Sequence, residues 1–339
     1  MRKHNGWTPA VAGSTPTRRR FLHLAAGAAA LPAMSRVASA QTYPTRPVRI
    51  VVGFSAGGAF DTFARLMGQW LSERLGQPFV LENRPGAGTN IATEAVVRAP
   101  GDGYTLLVVS VANATNATLY DKLNFNFIRD IAPVGSIMRQ AVVIVVHPSV
   151  PAKMLPELIA YAKANPGKIN MASAGNGSGS HLSGELFKMM AGVNLQHVPY
   201  RGGAPAFTDL ISGQVQVFFG LMAGTIEYIK TAKVRALAAT TAMRLEELPD
   251  LPTVGEFVPG YEASNWFGIG APKNTPPEII SKLNAEINTA LLDPKMRARL
   301  ADLGGGEPIS GSPDDFAKLI RDETAKWGKV IRTANIKPD

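Results

Sequence analysis

The chain predicts an α/β fold of two lobes joined by two crossover strands, with a ligand cleft between the lobes. Three observations lead there. Short β-branched runs alternate with helical patterns throughout residues 41–339, an alternation that implies parallel sheets covered on both faces. Two stretches, around 131–147 and 265–272, are too long or too interrupted for a simple strand unit and read as crossings between lobes. The last part of the chain, Pro276 to Leu303 and Pro313 to Ala334, is helical and charged on one face.

The first forty residues stand apart from that fold. Thr17-Arg18-Arg19-Arg20-Phe21-Leu22-His23 leads into a short apolar run through Leu31 that stops at Ala38-Ser39-Ala40. Two arginines ahead of an apolar stretch too short for a membrane span of about 20 residues, closed by an Ala-x-Ala site, read as a twin-arginine signal cleaved after Ala40. The expectation is a periplasmic protein beginning at Gln41. The leader holds Arg2, Lys3, Arg18, Arg19, Arg20 and Arg36 and no acidic residue, so its removal lowers the formal charge from +9 to +3. No basic block remains, and nucleic acid drops out as a partner. Without cysteine there is neither a disulfide framework nor a thiolate zinc site, and the core alone must hold the fold.

In chain order, Val48 to Phe54 reads as a buried strand feeding a helix in which Phe63, Leu66, Met67, Trp70 and Leu71 recur at helical spacing. Further strands are expected at Pro78 to Leu81, Tyr104 to Val109, Ala141 to Val146, Ile169 to Ala172, Gln196 to Val198, Val215 to Phe219 and Val234 to Ala239. The segment from Ile131 to His147 is interrupted by Pro133, Gly135 and Arg139-Gln140; a second crossing falls at Asn265 to Pro272, after the turn-rich stretch from Leu248 to Gly260. These crossings place residues 41–138 with 265–339 in the first lobe and 139–264 in the second.

Chemistry is expected in the loops where strands pass into helices. Gly53-Phe54-Ser55-Ala56-Gly57 matches the G-x-S-x-G elbow of a serine hydrolase, but the mature residues before it form no glycine-rich loop for an oxyanion hole. No Lys-Ser or Lys-Thr follows to make a P-loop. What remains is a helix N-terminus whose unpaired amides and dipole attract an anion such as a carboxylate. Asp61, in the first turn, is expected to brace the loop. Ser173 to His181 repeats the arrangement with Gly175, Gly177, Ser178 and Gly179; the spacing is wrong for a dinucleotide site, and His181 reads as a capping or packing residue. Ser110 to Asn116 offers amides without charge, and Pro199 to Ala206 places Arg201 where it could fork onto a carboxylate or pair with an acid. Trp266 and Phe267 are candidates for the cleft wall. No metal or cofactor is expected.

Taken together, Tyr43-Pro44-x-Arg46-Pro47-Val48, Phe54-Ser55-Ala56-Gly57-Gly58, Glu82-Asn83-Arg84-Pro85-Gly86-Ala87-Gly88, Gly101-Asp102-Gly103-Tyr104-Thr105, and His197 to Ala206 with Asp209-Leu210 make the chain resemble the Bug-type substrate-binding receptors of tripartite tricarboxylate transporters. The resemblance spans essentially the whole mature chain. It implies a two-lobed periplasmic binding-protein fold of type II, acting as a monomer without catalysis, that closes on a small carboxylate and delivers it to transporter membrane subunits. It also implies a site of loop amides and ordered water. The ligand-facing positions it implies are Phe54, Ala56 and Gly57, then Asn113, then Ala174, Ser178 and Gly179, then Gly203 and Ala204. Ser55, Asp61 and Arg201 join them from the reading of the loops. The competing expectations are a receptor that presents its ligand to a sensor kinase and a serine hydrolase built on Ser55.

Overall fold

The computed structural model describes residues 43–304 and 306–338; the twin-arginine leader and its cleavage site lie outside the described residues. Among the described residues ten strands form: β1 (Val48–Val52), β2 (Phe79–Asn83), β3 (Thr105–Ser110), β4 (Ile131–Val146), β5 (Asn170–Ser173), β6 (Gln196–Pro199), β7 (Val217–Leu221), β8 (Arg235–Ala239), β9 (Ser264–Pro272) and β10 (Glu307–Pro308). Every strand expected from the sequence is present, its bounds moved by a residue or two or, for Ala141 to Val146, absorbed into the longer β4. Among the described residues no helix is long and apolar enough to cross a membrane.

The strands follow one path, β2-β1-β3-β9-β4-β7-β5-β6, with β8 and β10 also pairing β4. Pairing is parallel for β1 with β2 and β3, and for β5 with β6 and β7. The expectation of parallel sheets holds for these strands and is corrected for β4, β8, β9 and β10, which pair antiparallel. β4 belongs to both sheets: Ile131 to Ala141 lies beside β9, and Val142 to Val146 lies between β7 and β8. Its register slips between Pro133 and Gly135 and again between Ser136 and Met138. Proline cannot donate to a ladder, so the interruption visible in the sequence becomes a bulge instead of a strand end.

The all-apolar run of β4 follows from burial on both faces. Val142, Ile144 and Val146 enter one core, while Val143 and Val145 enter another; alternate side chains of a strand point to opposite faces. β3 divides in the same way, with Leu107 and Val109 on one side and Leu106 and Val108 on the other. Helix Ala59–Leu75 covers the second of these cores with Phe60, Phe63, Met67 and Leu71, and ends at Gly76 in the left-handed conformation. The long C-terminal helix Pro313–Thr333 buries Phe316, Ile320 and Trp327, and Phe316 meets Trp266 edge to face at 5.8 Å.

β9 runs at close quarters with its neighbours. A side-chain carbon at Gly268 would strike the Gly135 carbonyl and the Phe316 ring. Gly268→Ala is expected to destabilise the protein by about 1–3 kcal/mol, the usual effect of overpacking. Urea unfolding of the variant checks this, and unchanged stability would mean that β9 tolerates more room than its register allows.

Candidate functional site

The loops at the carboxyl ends of the parallel strands meet around a small cavity of about 40 Å³, the usual place for a ligand in open α/β sheets. Four helices begin there: Ala59–Leu75 after β1, Gly179–Ala191 after β5, Gly203–Ile211 after β6 and Met222–Lys230 after β7. The first, third and fourth have Gly58, Gly202 and Leu221 at the N-cap and no side chain bonded to their first-turn amides. In the second, the Ser178 hydroxyl accepts from His181 N–H, leaving the Gly179 and Ser180 amides without a side-chain cap. The first-turn N–H groups of a helix have no partner within it, and together with the helix dipole they favour an anion.

The starts of these helices are close to one another. A carbon added at Gly58 would lie 3.7 Å from the Gly203 nitrogen and 3.8 Å from that of Ala204, and one at Gly224 would lie 3.9 Å from the Ala59 nitrogen. One small ligand can span them. Two bonds join the segments on either side: Ser55 N–H donates to the Arg201 carbonyl at 2.8 Å, and Thr115 Oγ1 donates to the Gly177 carbonyl at 3.1 Å.

The lining contains no acidic, basic or histidine side chain. One wall is aromatic, with Phe54 stacked on Phe60 at 4.1 Å and Phe207 placed between Phe218 and Tyr228. Asn265 closes another side from β9, its Oδ1 accepting from Trp266 N–H. Ser180 also lines the cavity; it is 3% exposed, and its hydroxyl has no partner. An unpaired buried hydroxyl is costly unless a ligand completes it.

The structure brings Phe54, Gly57, Ala174, Ser178, Gly179, Gly203 and Ala204 to this cavity. The other candidates sit elsewhere. Asn113 is buried in a capping box with Ser110, its Nδ2 donating to Thr93 at 2.8 Å, so its amide is occupied inside the fold. Ala56 is exposed at the loop tip. Ser55 turns its hydroxyl toward Gly202, where it is buried without a partner, and none of His147, His181 and His197 is bonded to it. Arg201 lines a wider neighbouring cavity of about 460 Å³ that shares Phe54, Ala174 and Ser178 with the first. Trp266 and Phe267 are core residues, 0% and 2% exposed.

Asp61 holds the first loop from behind. Its carboxylate accepts Gly57 N–H at 2.9 Å, the Arg65 guanidinium through two bonds and Asn83 Nδ2 at 3.0 Å. Burial pushes its pKa up, but the bonds from Arg65, Gly57 and Asn83 outweigh this and keep it below the ordinary 3.8. Gly57 therefore spends its amide on the brace, and the amides left for a ligand at this loop belong to the helix that follows. The sequence reading missed Phe207, Tyr228, Gly224, Asn265 and Ser180 as lining residues. The start of Met222–Lys230 gave the same signal of a strand running into a helix, without the glycine-rich loop that marked the others.

With the geometry in place, comparison with known proteins identifies its kind. A family model described as the tripartite tricarboxylate transporter family receptor matches residues 63–336. The chain belongs to this family. Protein BugT of Bordetella pertussis is 37% identical over 302 residues, covering 88% of this chain and 92% of BugT. Among solved structures, Rpa4515 of R. palustris with adipate superposes at a TM-score of 0.85 and 38% identity, covering 88% of this chain and all of that one. MatC from Rhodopseudomonas palustris with bound malate gives 0.81 and 33%, covering 85% of this chain and all of MatC. The fold is thus the mixed α/β fold of periplasmic binding proteins, in a receptor family that binds solutes and does not catalyse.

Three substitutions separate the roles of neighbouring residues. A side chain at Gly179 would meet Asn265 Cγ at 2.8 Å, so Gly179→Val is expected to abolish solute binding by displacing both Asn265 and the helix start. Ser178 donates to the Gly175 carbonyl and caps the helix, so Ser178→Ala should cost about 0.5–2 kcal/mol of loop and helix stability. Ser180→Ala removes a buried hydroxyl left unpaired at the cavity wall and should weaken binding about tenfold. Calorimetry on folded variants checks the ranking, and a Gly179→Val protein that binds like the wild type would place the ligand elsewhere.

Proposed function

We propose that the protein is a periplasmic receptor that captures a small carboxylate between its two lobes, residues 41–138 with 265–339 and residues 139–264, and delivers it to the membrane subunits of a tripartite tricarboxylate-type transporter. The observation that carries this reading is the convergence of four helix N-termini with uncapped amides on a cavity that has no charged side chain. A neutral ligand would leave those donors poorly used, and a cation would face four positive dipole ends. The bound adipate and malate of the two R. palustris relatives make dicarboxylates the first compounds to try. Closure of the lobes about β4 and β9 would bring the loops of both sheets onto the ligand.

Ligand at 100 times its dissociation constant stabilises the native state by about 2.7 kcal/mol, so adipate, malate or another acid in a panel of mono-, di- and tricarboxylates is expected to raise the melting temperature by several degrees. A panel that shifts nothing overturns the reading. An esterase assay of the wild type and Ser55→Ala is expected to show no turnover in either. Export is proposed to follow the twin-arginine route with cleavage after Ala40, and Arg18→Lys with Arg19→Lys should leave the protein in the cytoplasm on fractionation.

A further inference from the structure

The loop between β5 and helix Gly179–Ala191 supplies Ala174, Ser178 and Gly179 to the cavity, but its shape is fixed from the far side. Gly175 and Gly177 turn the chain at φ +123° and +74°, conformations that disfavour any side chain. The amide of each is held through an imidazole. Gly177 N–H donates directly to His181 Nδ1 at 3.1 Å. Gly175 N–H donates to Ser173 Oγ at 3.1 Å, and that hydroxyl lies 2.7 Å from His197 Nε2. The two rings stack face to face, 3.9 Å between centroids and 11° between planes.

The arrangement needs a neutral His181. A nitrogen that accepts an N–H bond carries its lone pair, so the ring proton sits on Nε2, 3.8 Å from Glu185 Oε1. A cationic ring would turn Nδ1–H against Gly177 N–H. The titratable groups that act on His181 are His197 from β6 and Glu185 and Lys188 from its own helix; the loop 173–180 has none. Burial first, then the charges of His197 and Lys188, hold its pKa well below the ordinary 6.5. The unfolded chain therefore binds the proton that the native loop refuses, and the stability of the brace falls as pH drops below 6.5.

We propose that His181, stacked on His197, is a positioning residue for the ligand loop: it fixes the Gly177 amide so that the first helical turn at Gly179 and Ser180 is held at the cavity, and it does so only in its neutral form. The effect on affinity rests on the carboxylate-receptor reading; the effect on the loop does not. His181→Asn places Oδ1 where Nδ1 stood and does not titrate, while His181→Phe keeps a ring against His197 and removes the acceptor.

Two measurements test this: calorimetry with adipate as the probe, and amide hydrogen exchange of residues 174–178 in the protein without ligand. Near neutral pH, His181→Asn should bind adipate close to the wild-type level, and His181→Phe about tenfold or more weakly through the unpaired amide. Exchange in the loop should be faster in His181→Phe and restored in His181→Asn. Below pH 6.5, wild-type exchange should rise relative to His181→Asn at the same pH. Equal exchange in the wild type and His181→Phe, or a constant ratio of wild type to His181→Asn across pH, overturns the proposal. If His181→Phe does not fold, that ratio alone decides. Exchange that follows the expected order in a protein that binds no carboxylate supports the brace and removes the receptor reading instead.

Discussion

A helix cannot pair its own first amides, and the site depends on that fact. In an ordinary fold these donors are scattered over the surface, where water or a capping side chain completes them. Here four helices start where four strands end, and the start after β1 lies so near those after β6 and β7 that a single added methyl at Gly58 or Gly224 would touch its neighbour's backbone. Some donors are completed by the protein itself: Gly57 by Asp61, and the His181 amide by Ser178. The others remain at the cavity, and the field they produce comes from the peptide backbone alone. Such a site attracts negative charge without burying a cation that would need neutralising in the empty state.

The scaffold makes this convergence possible by sharing one strand. β4 runs through both sheets, paired with β9 and β10 in its first part and with β7 and β8 in its second, and its core side chains divide between separate clusters on its two faces. The strand ends of β1 and of β5, β6 and β7 are thereby turned toward each other across β4 and β9. The bulges near Pro133 and Ser136 lie within the pairing with β9, before the strand passes at Ala141 and Val142 into the second sheet. The bonds from Ser55 to Arg201 and from Thr115 to Gly177 join the two sets of loops directly.

The strands and the glycine-rich loops were legible because both are local patterns: β-branched runs mark the first, and glycines before a helix mark the second. The C-terminal half of β4 was read correctly, since burial on both faces leaves an unbroken apolar run. The antiparallel partners were not readable, because pairing direction is settled by residues far apart in the chain. Asn113 shows the limit for the site: its position after a strand resembled that of the other loops, yet the nearby Thr93 hydroxyl and the Ser110 capping box take up its amide. Phe207 stands one helical turn past Ala204 and Asn265 stands next to Trp266, but which of these residues reaches the cavity, like the arrival of Tyr228, is settled by tertiary packing. The hydroxyl of Ser180 stands two positions from one that was chosen, and the helical turn, not the residue type, decides which of the two is left free.

An anchor made of main-chain groups separates what evolution can change from what it cannot. Substituting a side chain leaves the peptide amides of Ala59, Gly179, Gly203 and Met222 in place as long as the backbone keeps its path, so charge recognition is insulated from most point mutations. The aromatic wall has no such protection: Phe54, Phe60, Phe207, Phe218 and Tyr228 contribute only through their side chains. Exchanging wall residues one at a time therefore alters the size and polarity of the cavity, while the pull of the helix starts on negative charge persists throughout.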